Sequence, residues 1–196
     1  GMAGQVTPAN VATTSAHDDA TIADIDPDWP HSWFSIELAS SLPEITEAVW
    51  MDGYTQPGSQ VNTNSVTAAG EAMQGLDTIL KIEEQDPRTS RTSGEPFGLL
   101  TITAGGSTVR GLNISRSPGA VIALETGGGN AVAGNFLGTD VSGTLALGDR
   151  SSGLFIDGSP DNLISGSAAE ARNLISVNPG GGVFGVLAGG DRNRIE

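Results

Sequence analysis

Short apolar runs alternate with corners that carry glycine and asparagine from residue 98 to the end of the chain. The runs are rich in Val, Ile, Leu, Thr and Phe and too short for helices, which favours β-strands. Within Val121–Leu124 and Leu154–Asp157 the alternation indicates one face toward a core and one toward solvent. The pattern predicts strands at Leu99–Thr103, Leu112–Ser115, Val121–Leu124 and Phe136–Leu137.

The same cycle recurs at a countable period. A polar residue opens each x-apolar-x segment, and these residues are Ser107, Asn130, Asn162 and Asn193, at steps of 23, 32 and 31 residues. A coil of about two dozen residues, lengthened by loops at Thr139–Arg150 and Ser167–Ala171, accounts for the steps. Asparagine tolerates left-handed backbone at corners, and stacked asparagines are expected to hydrogen-bond from coil to coil.

This repeat predicts an all-β solenoid, a parallel β-helix. Glycine contributes 28 of the 196 residues and falls mostly between the apolar runs, where it punctuates strands and breaks helices. Leucine-rich repeats have a similar period, but their L-x-x-L-x-L spacing is absent.

The upstream part predicts further strands and loops. Trp33–Leu38, Ala48–Met51 and Leu76–Glu83 contain candidate strands, whereas residues 59–75 and Asp86–Glu95 are predicted loops that project from the coil. Residues 1–25 are interpreted as a flexible arm, a linker or a tag remnant, and residues 26–196 as one β-helix domain. The native protein is expected to continue beyond Glu196, because a terminal rung without a cap exposes core and strand edges.

Several motifs then point to a family. They are Leu42–Thr46, Asp52–Gly58, Thr101–Gly111, Gly134–Asp140 and Ala171–Ser176. In this order they resemble the right-handed parallel β-helix repeats of large bacterial extracellular proteins in the pectate-lyase-like superfamily. The resemblance covers about residues 33–196, and it implies a right-handed parallel β-helix. We expect this β-helix to carry an N-terminal capping arm and projecting loops. The Ser-Leu-Arg-Gln-Ala-Ile segment that often precedes such repeats is missing.

Composition narrows the choice of partners. The formal net charge is −14 and Lys81 is the single lysine, which argues against nucleic acid and anionic membranes as partners. The absence of cysteine excludes disulfides and thiolate chemistry. No apolar run approaches 18 residues, so insertion into a membrane is not expected.

Glu125 and Asp157 are the candidate catalytic pair. In the superfamily that the chain resembles, enzymes place their catalytic carboxylates on stacked strands. Paired carboxyl groups in glycoside hydrolysis lie about 5–10 Å apart, and stacked rungs are about 4.8 Å apart. Asp157 ends one predicted strand, its counterpart a coil earlier is near Glu125, and the following counterpart is expected near Ala188 or Gly189. Without a third carboxylate, we interpret the two as solvated strand ends.

Asp140 and Asp149 bracket a predicted loop and are the candidate metal ligands. Loop carboxylates with nearby carbonyls suit Ca²⁺, but the spacing of an EF-hand is absent. We therefore expect these aspartates to cap turns, and we expect no cofactor, with Ca²⁺ as the ion to test. His17 and His31 have no metal-ligand spacing.

Trp50 and Tyr54 are the candidate ligand-binding residues. If Val49 and Met51 fill the core, alternation directs Trp50 outward. An outward tryptophan either stacks on a sugar ring or packs against the arm.

These observations favour a non-catalytic extracellular or cell-surface module, a scaffold for contact with glycans or proteins. The expected partners are a polysaccharide or another surface protein, and an open C-terminal rung is expected to favour self-association. The alternative is part of a polysaccharide lyase or glycoside hydrolase whose active site is completed by coils beyond Glu196. A third alternative is a pure spacer.

Overall fold

The computed structural model describes residues 12–18, 32–64, 75–148, 151–176, 178–186 and 190–196. The strands, numbered in chain order, are β1 (Ala12–Asp18), β2 (Ser32–Leu38), β3 (Trp50–Asp52), β4 (Ile82–Gln85), β5 (Gly98–Ile102), β6 (Thr108–Arg110), β7 (Asn113–Ser115), β8 (Ala120–Glu125), β9 (Ala131–Ala133), β10 (Phe136–Leu137), β11 (Leu154–Asp157), β12 (Leu163–Ile164), β13 (Leu174–Ile175), β14 (Val183–Val186) and β15 (Arg194–Ile195). Short 3₁₀ turns lie at Gly53–Thr55 and Ala169–Ala171.

The strands form three sheets whose strands are nearly all parallel. The first sheet has the order β1-β2-β4-β7-β10-β13, the second β5-β8-β11-β14 and the third β3-β6-β9-β12-β15. From β5 onward the chain visits the second, third and first sheets in fixed rotation, and each visit adds a strand beside the one from the previous turn. This topology is compatible with a β-helix-like solenoid, and the predicted all-β class with parallel strands is confirmed.

The main core lies between the three sheets. In the third sheet, Val109, Val132 and Ile164 are in register and fully buried, and their strand neighbours point outward. The second sheet contributes leucines and isoleucines such as Ile122 and Leu154 to the same cluster. Aliphatic side chains from successive turns thus stack into one narrow core, and the lean aromatic content fits this arrangement.

One inward position of the core carries a carboxylate. Glu84 is in register with Ile36 on one side and with Ile114 on the other, and both isoleucines belong to or pack against the main core. The Oε2 atom of Glu84 is buried and has no hydrogen-bond partner. Burial raises the pKa of Glu84 to about 7.

A polar ladder runs through the four residues that mark the repeat. The Oδ1 atom of Asn130 accepts from the Ser107 amide, that of Asn162 from the Asn130 amide, and that of Asn193 from the Asn162 amide, at 2.8–2.9 Å. The Ser107 hydroxyl extends the ladder by accepting from Val49 N at 3.2 Å. The predicted coil-to-coil bonding of asparagines is confirmed, with each side chain satisfying a backbone amide one turn earlier.

Left-handed backbone falls on the residue before each ladder asparagine. Gly129, Asp161 and Arg192 have φ of +74°, +58° and +60°. The tolerance of asparagine for left-handed backbone is therefore not used at the ladder positions, where the preceding residue turns the corner. Glycine makes that turn without steric cost.

The strand bounds follow the predicted ones within a few residues in most of the repeat. Phe136–Leu137 is the same, whereas the strands predicted at Ala48–Met51 and within Leu76–Glu83 begin two or more residues later than predicted, at β3 and β4. Part of the predicted arm, Ala12–Asp18, is a strand that pairs antiparallel with β2. Within the described residues, no helix has the length and apolar character to cross a membrane.

Candidate functional site

Trp50 is the most exposed of the large apolar side chains described in the structure. It lies on the outer side of the third sheet, in register with Thr108, and its side chain is 71% exposed. Met51, the next residue, packs against the main core. The predicted outward direction of Trp50 is confirmed, and the cause is the alternation of side chains along β3.

Polar groups lie beside Trp50 on the same face. Asp52 and Arg110 are in register on β3 and β6, and Arg110 Nε lies 3.2 Å from Asp52 Oδ1. Both side chains are partly exposed. We call Trp50, Asp52, Thr108 and Arg110 the Trp50 face. It combines a flat aromatic surface with donors and acceptors fixed by neighbouring strands.

Tyr54 contacts the two charged residues of the Trp50 face. Its hydroxyl donates to the Gly134 carbonyl at 2.6 Å, and the Arg110 guanidinium carbon lies 5.1 Å from the centre of its ring. Asp52 Oδ1 accepts from the Tyr54 amide at 3.0 Å, which fixes the 3₁₀ turn. The amide bond to Asp52 and the ring contact with Arg110 hold the Asp52–Arg110 pair in place. The Tyr54 hydroxyl already has a partner, and direct contact of Tyr54 with a ligand stays a prediction.

The environment of Tyr54 gives a measurable prediction. Burial is the largest influence on its phenol and raises the pKa to about 12. Tyr54 is the only tyrosine of the chain, so absorbance at about 295 nm reports on it alone. We expect the native protein to show almost no tyrosinate at pH 10.5, whereas protein in concentrated urea should titrate near pH 10. Equal titration in both states would contradict the observed packing of Tyr54.

The candidate catalytic carboxylates are brought together. Asp157 is in register with Glu125 on the adjacent strand of the second sheet. Burial raises the pKa of Glu125, and the negative charges of Glu44 and Asp157 raise it further, while Arg91 opposes them. The next counterpart of Asp157 is Val186 and not Ala188 or Gly189, because the glycine-rich approach to β14 is shorter than the repeat suggested.

Sequence reasoning missed a row of phenylalanines beside these acids. The ring centre of Phe97 lies 4.5 Å from that of Phe155, and Phe155 stacks on Phe184 at 6.0 Å with an interplanar angle of 10°. Phe155 and Phe184 are in register, and Phe184 is 49% exposed. Phe155 and Phe184 are 29 residues apart, a few residues short of the repeat steps of 31 and 32 on this part of the chain, so the spacing was only a weak signal.

The candidate metal ligands do not form a described metal site. Asp140 Oδ1 accepts from the amides of Thr144 and Leu145 at 2.9 and 2.8 Å, and its Oδ2 accepts from the Ser142 hydroxyl at 2.5 Å. Asp140 therefore organises the turn of its loop. Asp149 and His31 lie outside the described residues. Within the described ranges, no group of three or more His, Cys, Asp and Glu side chains is placed to hold a metal ion.

Comparisons with protein-family models, with curated proteins and with solved structures gave no match to this chain.

Proposed function

We propose that this chain is a non-catalytic module of an extracellular or cell-surface protein, built as a right-handed parallel β-helix of the pectate-lyase-like superfamily, and that it contacts glycans through the Trp50 face. The observation that carries the proposal is the exposure of Trp50, 71%, on a regular sheet surface. A large aromatic side chain in this position has an unfavourable contact with water that a ligand would remove.

The chemistry of the face favours a sugar. The apolar side of a sugar ring fits against an indole, and its hydroxyl groups need both donors and acceptors at the edge of the ring. Arg110 supplies donors and Asp52 supplies acceptors, and strand pairing fixes both of them relative to Trp50. The bond from Tyr54 to Gly134 and the contact between Tyr54 and Arg110 limit the motion of this pair, which lowers the entropic cost of binding.

Removal of the indole tests the proposal. On a glycan array, with and without Ca²⁺, we expect the wild-type protein to bind a defined set of glycans. Trp50→Ala should weaken this binding at least about tenfold, as for a central aromatic anchor, whereas Trp50→Phe should retain part of it. Because Trp50 is exposed, its replacement should leave the thermal unfolding midpoint almost unchanged.

Leu145→Ala is the matched control. Leu145 is another exposed apolar side chain, 61% accessible, on the loop turned by Asp140. We expect this variant to bind glycans like the wild type. Equal loss in both variants, or no loss in Trp50→Ala, would count against the Trp50 face as the binding site.

One observation favours the alternative, a polysaccharide lyase or glycoside hydrolase. Glu125 and Asp157 occupy adjacent rungs, and the pKa of Glu125 is raised, as a proton donor in such chemistry requires. Among the described residues of the second sheet, no further catalytic group is in register with Glu125 and Asp157. Release of reducing ends or of unsaturated sugars would favour this alternative, provided that Glu125→Gln removes the activity.

A further inference from the structure

We propose that the outer face of the second sheet is a docking surface for a positively charged protein segment that presents arginine or lysine side chains. The surface, which we call the acidic-aromatic face, consists of Glu125, Phe155, Asp157 and Phe184. It lies on a different sheet from the Trp50 face, and the proposal does not depend on glycan binding.

Strand register gives this face its geometry. Phe155 and Asp157 are two residues apart on β11, so their side chains leave the same side of the sheet. Phe184 continues the aromatic row on β14, and Glu125 continues the acidic row on β8. An aromatic row and an acidic row therefore run side by side across the strands.

The acidic row has an excess of negative charge. Like charges directly opposite each other on paired strands repel, and Glu125 and Asp157 are such a pair. Among the described residues, neither of them forms a salt bridge. Glu44 adds to the negative potential at Glu125, and Arg91 offsets it only in part. A bound cation would relieve this repulsion.

The protein itself shows how a cation fits this surface. The guanidinium carbon of Arg91 lies 5.0 Å from the ring centre of Phe97, whose ring packs against Phe155. Arg91 is held there by bonds from its side chain to the carbonyl oxygens of Pro96 and Glu95. An arginine thus already lies over one end of the aromatic row, and Phe184 at the other end remains half exposed. Arginine and lysine side chains are attracted to aromatic rings in this way.

Charge complementarity decides between occupants. A second copy of this chain carries the same net charge of −14 and would be repelled. Neutral glycans can donate hydrogen bonds to the two carboxylates, but they carry no positive charge that would relieve the repulsion between them. A basic segment gains both charge pairing and contact with the rings, and it would be guided to the surface by the field of the whole protein.

The test uses a fluorescein-labelled peptide of alternating arginine and glycine, with a glutamine–glycine peptide of the same length as the uncharged probe. Fluorescence anisotropy should show saturable binding of the arginine peptide only, and the binding should weaken as salt rises from 50 to 500 mM. The double variant Glu125→Gln/Asp157→Asn and the variant Phe184→Ala should each weaken it at least about fivefold.

The control is the charge-matched double variant Glu37→Gln/Glu170→Gln. Glu37 lies on β2 of the first sheet and Glu170 in the 3₁₀ turn between β12 and β13, and both are exposed. Since neither residue belongs to the second sheet, binding should change less than about twofold. Equal weakening in the two double variants would mean a diffuse effect of net charge and would overturn the proposal. So would unchanged binding in Glu125→Gln/Asp157→Asn, or a concentration-dependent dimer in sedimentation that Phe184→Ala abolishes. Trp50→Ala should bind the peptide like the wild type, which separates this result from the fate of the glycan proposal.

Discussion

Replacing Glu84 with glutamine is expected to make the protein more stable at pH 8 relative to wild type, and to have a much smaller relative effect at pH 5. The unfolded carboxyl titrates near 4.5, and the folded one near 7. Between these values the folded state holds the proton more often, so stability is lost as pH rises through this window. The difference in unfolding free energy between Glu84→Gln and wild type should change by roughly 2–3 kcal/mol from pH 5 to pH 8.

Urea unfolding of wild type and Glu84→Gln at the two pH values measures this effect. Glu37→Gln is the control, because Glu37 lies on β2 of the same sheet and is exposed to solvent. This control shows the effect of removing an exposed carboxylate from the same sheet, and it should not reproduce the change seen in Glu84→Gln. If the stability difference between Glu84→Gln and wild type is independent of pH, Glu84 does not occupy the inward position between Ile36 and Ile114.

The second large effect concerns the polar ladder. Asn162 is buried, accepts from the Asn130 amide and donates to both oxygens of Ser159 and to Asn193 Oδ1. Asn162→Ala leaves the Asn130 amide without its partner and removes the hydrogen bonds that the two N–H groups of the side chain make to Ser159 and Asn193. We expect the free energy of unfolding to fall by about 3 kcal/mol, since an unsatisfied buried donor alone costs about 1–3 kcal/mol.

Two further variants make this prediction specific to the ladder. Asn193 lies on the last described turn and is only half-buried. Asn193→Ala should therefore lower the free energy of unfolding by about 1–2 kcal/mol. Asn162→Ser copies the way in which Ser107 accepts from Val49 N, and it should recover part of the stability lost in the alanine variant. A loss below about 0.5 kcal/mol for Asn162→Ala, the level of an ordinary surface change, would show that the ladder contributes little.

The stacked architecture was predictable because the ladder requires polar residues at a regular spacing that is visible in the sequence. Each ladder residue must stand at the same place in every turn, so Ser107, Asn130, Asn162 and Asn193 recur at the turn length, and the hydrogen bonds join these four in order. The same argument placed Glu125 opposite Asp157. Alternation within one strand was sufficient to direct Trp50 outward.

Other features depend on contacts that no local pattern contains. Glu84 follows another glutamate and precedes a glutamine, so the sequence around it carries no sign of an inward position. Parallel pairing with Ile36 and Ile114 places it there, and strand propensity, which disfavours glutamate, gives no hint. The row of phenylalanines was missed because Phe97 lies in a loop, outside the repeat that aligned Phe155 with Phe184.

The most direct measurement is calorimetric titration of the wild type and Trp50→Ala with an oligosaccharide selected on the array, while the same samples are assayed for reducing ends and unsaturated sugars. A non-catalytic glycan-binding module should bind in the wild type, lose most of the binding in Trp50→Ala, and release no product in either sample. Equal binding by both proteins would remove the Trp50 face from the account. Product that forms in the wild type and disappears in Glu125→Gln would show that the chain is an enzyme.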